Sequence, residues 1–281
     1  MSKIWIAALG IMALGTAVQA RTLQEIGEDG VFRVGFRMDA KPFSFLDPDG
    51  NAAGYSVDLC RQVAEALRGR LERQNLSIEY VPVNAAERFA TLEVGKADIL
   101  CGATTHTLAR QERVDFSLLI FVTGAEMLVR RGAGITNLPN VAGKKVGVLA
   151  GTTTEAGLRR ALGESAIEAE VIAVERHKYG IAELETGGID AYFGDRILLL
   201  ELAERAIDPE KLTLSGRLYS IEPYALALPR GSGDLKLIAD RTLARLYRSG
   251  RIEDISRKWF GSAKPSNLLR ALYLLQAIPD E

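Results

Sequence analysis

The stretch from Gly102 to Arg110 carries the residue types of a carboxylate receptor. Thr104, Thr105 and Thr107 supply hydroxyls, and Arg110 supplies a guanidinium. Thr105 and Thr107 can each cap a following helix that holds Arg110 in its first turns. The free N–H groups of a helix start, threonine hydroxyls and a guanidinium fork together suit an anionic oxygen pair. A second stretch, Gly151-Thr-Thr-Thr-Glu155, has a similar composition, and Thr152 with Glu155 makes a capping-box pattern. A third candidate is Asp195, which ends a short apolar run from Asp190 to Gly194. Aspartate accepts hydrogens and donates none at neutral pH, so it suits an ammonium. Each stretch alone also reads as an ordinary capped surface helix. The elements that position them decide between the two readings.

Those elements alternate. Val31 to Arg37 reads as a first strand, and Asp47-Pro-Asp-Gly-Asn51 as a turn. A helix opens near Gly54 with Ser56 as its expected cap. Val57, Cys60, Ala64 and Leu67 fall at helical spacing and form its buried face. Ile78 to Val83 is a strand, Ala86 to Gly95 a helix, and Ala97 to Cys101 a third strand. Phe116 to Arg130 is a long apolar strand or crossover, closed by the break Arg131-Gly-Ala-Gly134. The rhythm then restarts with strands at Lys145 to Ala150 and Glu170 to Val174, a helix near Ile181 to Thr186, and the strand that ends at Asp195. A helix from Arg196 to Arg205 follows, then strands at Lys211 to Leu214 and Glu222 to Leu228, and helices at Asp234 to Arg248 and Ile252 to Phe260. The tail from Pro265 is expected to pack on the surface. Strands alternating with helices argue an α/β fold with mostly parallel sheets in two units. In each unit a strand runs into a glycine-threonine turn at a helix start. Ligands of open parallel sheets sit at such strand ends, and two of them facing each other make a cleft.

Composition removes several classes. A formal net charge of −1 gives no electrostatic case for nucleic acid or an anionic membrane. Two cysteines and two histidines are too few for the usual structural metal sites, and no cofactor motif is present. Gly143-Lys-Lys145 lacks the spacing of a phosphate loop and precedes a strand. Residues 1–20 read as a secretory signal peptide: Lys3, an apolar run from Ile4 to Val18, and Val18-Gln-Ala20 as the cleavage signal. Arg21 is then the first residue of an exported, soluble chain. Cys60 lies on the buried face of a helix and Cys101 ends a strand of the same unit. In an oxidising compartment they are expected either to bond or to remain two buried thiols.

Pro42-Phe-Ser-Phe, Asp49-Gly50, Gly54-Tyr-Ser-Val-Asp-Leu, Gly95-Lys-Ala-Asp, Thr105 to Arg110 and Val114-Asp-Phe-Ser117 resemble solute-binding protein family 3, the periplasmic amino-acid receptors of ABC importers. Cys101-Gly-Ala-Thr-Thr, Ile120-Phe-Val, Gly151-Thr-Thr and the Asn267-Leu tail are most similar to its glutamate/aspartate-binding branch. The resemblance implies a two-lobed, type II clamshell. Lobe one would hold residues 21–128 and 222–281, and lobe two residues 129–221. Connecting strands would lie near Glu126–Arg130 and Pro223–Leu228. It also implies a site. Arg110 would grip the ligand α-carboxylate with Thr105, Thr152 and Thr153, and Asp195 would take the α-ammonium. Arg37, Arg88 and His177 would supply the basic groups of the acidic-ligand branch. Ala103 departs from that branch, which has a serine there. Three arginines against Asp195 would give the site a charge of +2. A neutral amino acid would then leave buried guanidiniums unpartnered, while a second ligand carboxylate would answer them. Capture of glutamate or aspartate in the periplasm, without a cofactor, and delivery by a monomer to a permease and ATPase is the implied function. A dehydratase acting on a cyclic carboxylate and a soluble amino-acid sensor are the rivals.

Overall fold

The computed structural model describes residues 20–261 and 265–280. The signal peptide expected over residues 1–20 therefore lies, except for Ala20, outside the described residues. In chain order the elements are α1 (Leu23–Asp29), β1 (Val31–Arg37), β2 (Asp39–Ala40), β3 (Ser44–Leu46), β4 (Ala52–Ala53), α2 (Tyr55–Leu71), β5 (Ser77–Val83), α3 (Arg88–Glu93), β6 (Ile99–Cys101), α4 (Leu108–Gln111), β7 (Val114–Thr123) and β8 (Ala125–Arg130). Then come β9 (Lys145–Leu149), α5 (Thr153–Glu164), β10 (Glu170–Val174), α6 (His177–Thr186), β11 (Ala191–Asp195), α7 (Arg196–Glu204), β12 (Leu212–Leu214), β13 (Glu222–Pro229), α8 (Gly233–Arg248), α9 (Arg251–Phe260) and α10 (Asn267–Leu275).

Two five-stranded sheets carry the fold, in the orders β5-β1-β6-β13-β7 and β10-β9-β11-β8-β12. Three strands of each pair in parallel, as the alternating rhythm requires. The fourth position breaks the pattern. β13 runs antiparallel to β6 and β7, and β8 runs antiparallel to β11 and β12. In each sheet the reversed strand is the one that enters from the other sheet. The sequence reading ended the first lobe at 128, but β8 pairs over its whole length in the second sheet. The chain therefore changes sheet at Gly124 and returns between Leu214 and Glu222. The two crossings lie side by side, with Tyr219 N–H donating to Ala125 O at 2.8 Å and Ala125 N–H to Ser220 Oγ at 3.1 Å. Glycine is required at 124, because a Cβ there would meet Ser220 O at 2.4 Å.

Each sheet is covered on both faces. In the second, Val146, Val148, Ala191 and Phe193 face α5 through Leu158 and Leu162. The alternate residue Tyr192 faces the other way, against Ile181 and Leu184 of α6 and Leu199 of α7. Both faces being apolar explains strands without a polar alternation. In the first sheet, Phe32, Val34 and Ile99 pack under Tyr55, Leu59 and Val63 of α2. Fully burying each such side chain contributes about 1.5–3 kcal/mol. The Tyr55 hydroxyl donates to Ile120 O at 2.9 Å and lies 2.9 Å from the Tyr273 hydroxyl. Tyr273 belongs to α10, so the tail is a docked helix. Its Gln276 carboxamide pairs with Leu119 N and O at 2.7 and 2.9 Å, closing the open edge of β7.

Ser56 is not the cap of α2. Its hydroxyl donates to Gly102 O at 3.0 Å, and Gly54 is the capping residue. The helix is thus tied to the threonine loop rather than closed on itself. Cys60 and Cys101 are bonded, with Cα atoms 6.3 Å apart and a sequence separation of 41. Closing a loop of that length contributes roughly 4 kcal/mol in the chain-entropy account. Among the described residues no helix is long and apolar enough to cross a membrane.

Candidate functional site

One cavity between the two sheets is lined by Arg37, Arg88, Ala103, Thr105, Arg110, Thr152, Thr153, His177 and Asp195, the nine positions singled out in the sequence. Leu149, Thr154, Gly194 and Leu198 complete its wall. Its volume is about 20 Å³, close to what one water needs. An amino acid therefore enters only with the walls moved apart. A larger opening of about 730 Å³ starts at the same threonines and at Arg110, and runs outward along α5 past Ala156 and Arg160.

The first sheet supplies the arginines. Arg37 closes β1 and is buried. Arg88 opens α3 and is buried too; its Nη1 donates to Gly151 O at 3.4 Å, across the cavity. Arg110 sits in the four-residue α4, capped by Thr107, and its Nη1 donates to Thr105 O at 2.9 Å. The Phe89 ring lies under both guanidiniums, 4.5 Å from Arg88 and 5.2 Å from Arg110. Such stacking offsets part of the cost of taking these charges from water. Burial, then the charges of Arg110 and Arg37, push the Arg88 pKa well below the usual arginine range. The threonine loop is sewn to the returning strand, since Ala225 N–H donates to Thr104 O at 3.0 Å and His106 N–H to Pro223 O at 2.7 Å.

Helix starts and strand ends of the second sheet face those arginines. Thr152 caps α5, accepting from Glu155 N at 3.1 Å. The other arm of the expected capping box is displaced by one residue, because the Glu155 carboxylate accepts from Gly151 N. Gly151 has φ of +72°, and a Cβ there would meet Ala86 Cα at 2.8 Å. Only glycine lets the two walls approach that closely. His177 opens α6, which begins four residues before the expected start near Ile181. Its Nδ1 is 3.0 Å from the Tyr192 hydroxyl. Burial and the Arg37 charge push its pKa down to about 4, so the ring is neutral at pH 7. Asp195 ends β11 and stands at the N-cap position of α7 without capping it; its Oδ2 accepts from the Tyr224 hydroxyl at 2.5 Å. Burial and the nearby Glu222 push its pKa up to about 7.

Two acids at this site were not expected. Asp39 accepts from Arg37 Nε and Nη2 at 3.0 and 2.6 Å. Glu222, buried at the start of β13, accepts from Thr153 Oγ1 at 2.7 Å and Ser220 Oγ at 2.6 Å. The expected charge of +2 is therefore corrected. Arg37, Arg88 and Arg110 stand against Asp39, Asp195 and Glu222, and Arg37 already has a carboxylate partner. The signal for Asp39 was its place two residues after Arg37, at the turn back into β3. Glu222 carried no local signal, because only the return of the chain brings it to the cavity.

Three buried polar atoms of the cavity wall have no hydrogen-bond partner: Arg88 Nε, His177 Nε2 and Asp195 Oδ1. Arg88 Nε is a donor and Asp195 Oδ1 an acceptor. His177 Nε2 is also a donor when the Tyr192 hydroxyl donates to Nδ1. Buried polar groups are ordinarily paired, so such a set marks a place for a charged or zwitterionic molecule.

Known proteins are similar to this chain in sequence and in fold. The chain is 32% identical over 251 residues to the glutamate/aspartate import solute-binding protein of Salmonella typhimurium strain LT2, covering 89% of this chain and 83% of that protein. It is 32% identical over 245 residues to the L-glutamate/L-aspartate-binding protein of Pseudomonas aeruginosa, covering 87% and 81%. Among solved structures, a mutant of ArgBP from T. maritima superposes with a TM-score of 0.76 at 26% identity, covering 85% of this chain and 99% of that one. The ancestral amino acid-binding protein AncCDT-1, a precursor of cyclohexadienyl dehydratase, does so with 0.73 at 27% identity, covering 85% and 98%. The pattern for bacterial extracellular solute-binding proteins, family 3, matches residues 32–262. With two sheets joined by two adjacent crossings, a cavity between them and that match over most of its length, the chain belongs to the bacterial extracellular solute-binding proteins, family 3.

Proposed function

We propose that the chain captures an acidic amino acid, glutamate or aspartate, between its two lobes outside the cytoplasmic membrane and delivers it to the permease and ATPase of an ABC importer. Lobe one is taken as the chain up to Gly124 and from Glu222 onward, and lobe two as 125–221. The observation that carries the reading is the set of unpartnered atoms at the cavity, Arg88 Nε, His177 Nε2 and Asp195 Oδ1. Two donors and one acceptor are the complement of carboxylate oxygens and an ammonium. Arg110 with Thr105 and Thr153 takes the α-carboxylate, Asp195 the ammonium, and Arg88, Arg37 and His177 the side-chain carboxylate. A permanently charged guanidinium suits a carboxylate, and a charge-assisted bond contributes on the order of 1.5–3 kcal/mol. The relatives named for glutamate and aspartate support the same ligand class.

A thermal-shift screen of the exported chain against the common amino acids tests this. A ligand at ~100 times its dissociation constant adds about 2.7 kcal/mol of stability. Glutamate or aspartate giving the largest shift is expected; glutamine or arginine giving it sinks the assignment.

One observation favours a second reading. Asp195, pushed up to about 7 by burial, has the proton affinity of a general acid, and the chain superposes on a dehydratase precursor. The enzyme reading requires loss of water and carbon dioxide from a cyclic carboxylate such as prephenate, at a rate that Asp195→Asn abolishes. No turnover above buffer leaves the binding protein.

A further inference from the structure

We propose that Asp39 tunes the specificity of this site: its carboxylate already takes two donors of the Arg37 guanidinium that a ligand's side-chain carboxylate would also use, so an acidic ligand binds against its charge and a neutral one does not. The inference rests on the acidic amino-acid reading of the cavity and names the residue that limits it.

Arg37 is fixed in place before any ligand arrives. It ends β1, its side chain is 4% exposed, and Ser44 Oγ accepts from its backbone N–H at 2.8 Å. Two of its side-chain nitrogens, Nε and Nη2, donate to one oxygen of Asp39, at 3.0 and 2.6 Å. The antiparallel pairing of β2 with β3, Asp39 opposite Phe45 and Ala40 opposite Ser44, holds the acid there. The Asp39 side chain is 24% exposed. Burial raises its pKa, but Arg37 and then His177 outweigh burial, so the carboxyl is ionised at neutral pH. Arg37 and His177 both line the cavity. Asp39 thus presents to the two groups the same chemical group that glutamate or aspartate would present. Two carboxylates on one guanidinium repel each other. A neutral ligand such as glutamine leaves the Arg37–Asp39 pair intact.

The test compares wild type with Asp39→Asn, which keeps the shape and removes the charge. Asp39→Ala serves as the second variant, and circular dichroism checks that each folds. Calorimetry with L-glutamate, L-aspartate, L-glutamine and L-asparagine gives the ratio of acidic to neutral affinity. The expected result is a ratio moved toward the acidic ligands by about two- to fivefold in both variants, the size of one partly exposed charge pair. An unchanged ratio overturns the inference. Equal weakening for all four ligands also overturns it, because Asp39 would then only position Arg37. If wild type binds none of the four, the amino-acid reading itself fails and this inference falls with it.

Discussion

The two walls of the cavity differ in kind. Lobe one contributes three guanidiniums, buried at Arg37 and Arg88 and half-buried at Arg110. They are kept tolerable by the Phe89 ring, by Asp39 and by carbonyls. Lobe two contributes a capped helix start, a neutral histidine and an aspartate poised near neutrality. In the proposed reading, the positive charge that attracts carboxylates belongs to one lobe, with Thr153 and His177 of the other adding neutral donors. Recognition of the ammonium, and with it pH dependence, belongs to the other.

The largest break in this comparison comes from lobe one. Arg110→Ala should remove binding of every amino acid, because all share the α-carboxylate. Arg88→Ala should weaken acidic ligands more than neutral ones. Removing a buried partner costs roughly 3–5 kcal/mol, or about two to four decades in affinity at ~1.4 kcal/mol each. Calorimetry with the four-ligand panel separates the roles. Arg110→Ala within tenfold of wild type would remove the α-carboxylate assignment.

The next largest effect belongs to lobe two and carries a sign. The Asp195 carboxyl, with a pKa of about 7 against an ordinary 3.8, takes up a proton as pH falls below 7. An ammonium needs it ionised. Affinity should therefore fall by up to about tenfold per unit between pH 7 and pH 5. Asp195→Asn should bind more weakly at pH 8 and lose that slope. For the protein alone the sign reverses. A folded pKa raised above its unfolded value gives stability that is present in acid and lost as pH rises through 7. His177 works in the opposite sense, since its depressed pKa gives stability present above 6.5 and lost as pH falls through 4. A slope that survives in Asp195→Asn would assign the ammonium elsewhere.

The smallest expected effect sharpens the contrast. Phe89→Leu removes the ring under Arg88 and Arg110 while keeping an apolar side chain. A loss of about 0.5–2 kcal/mol in ligand affinity is expected, with no change in pH slope. A changed slope would mean that the two walls do not act separately.

Much of this was legible because its signals are local. The glycine-threonine turns, the strand ending at Asp195 and the helical spacing of Cys60 lie within a few residues. The family motifs carried Arg37, Arg88 and His177 to their strand and helix ends. What sequence missed depends on contacts made at long range or by a turn. Asp39 reads as a loop acid until β2 folds back onto β3. Glu222 reaches Thr153 only because β13 returns from the other lobe. Ser56 looks like a cap until Gly102 O is found 3.0 Å from its hydroxyl. The lobe boundary at 128 failed for a similar reason: an apolar run does not say which sheet it joins, and the register of β8 with β11 does.

The contact of Gly124 with Ser220 has a consequence for how such a receptor is adjusted to its surroundings. It lies at the crossings, between residues that are not themselves proposed to touch a ligand. A measured affinity is the intrinsic affinity of closed walls multiplied by the fraction of molecules that have them closed. A substitution at the crossings that leaves the wall residues in place acts on the second factor. The same set of ligand contacts can therefore serve a nutrient-poor or a nutrient-rich habitat, with selectivity preserved and only the working concentration moved.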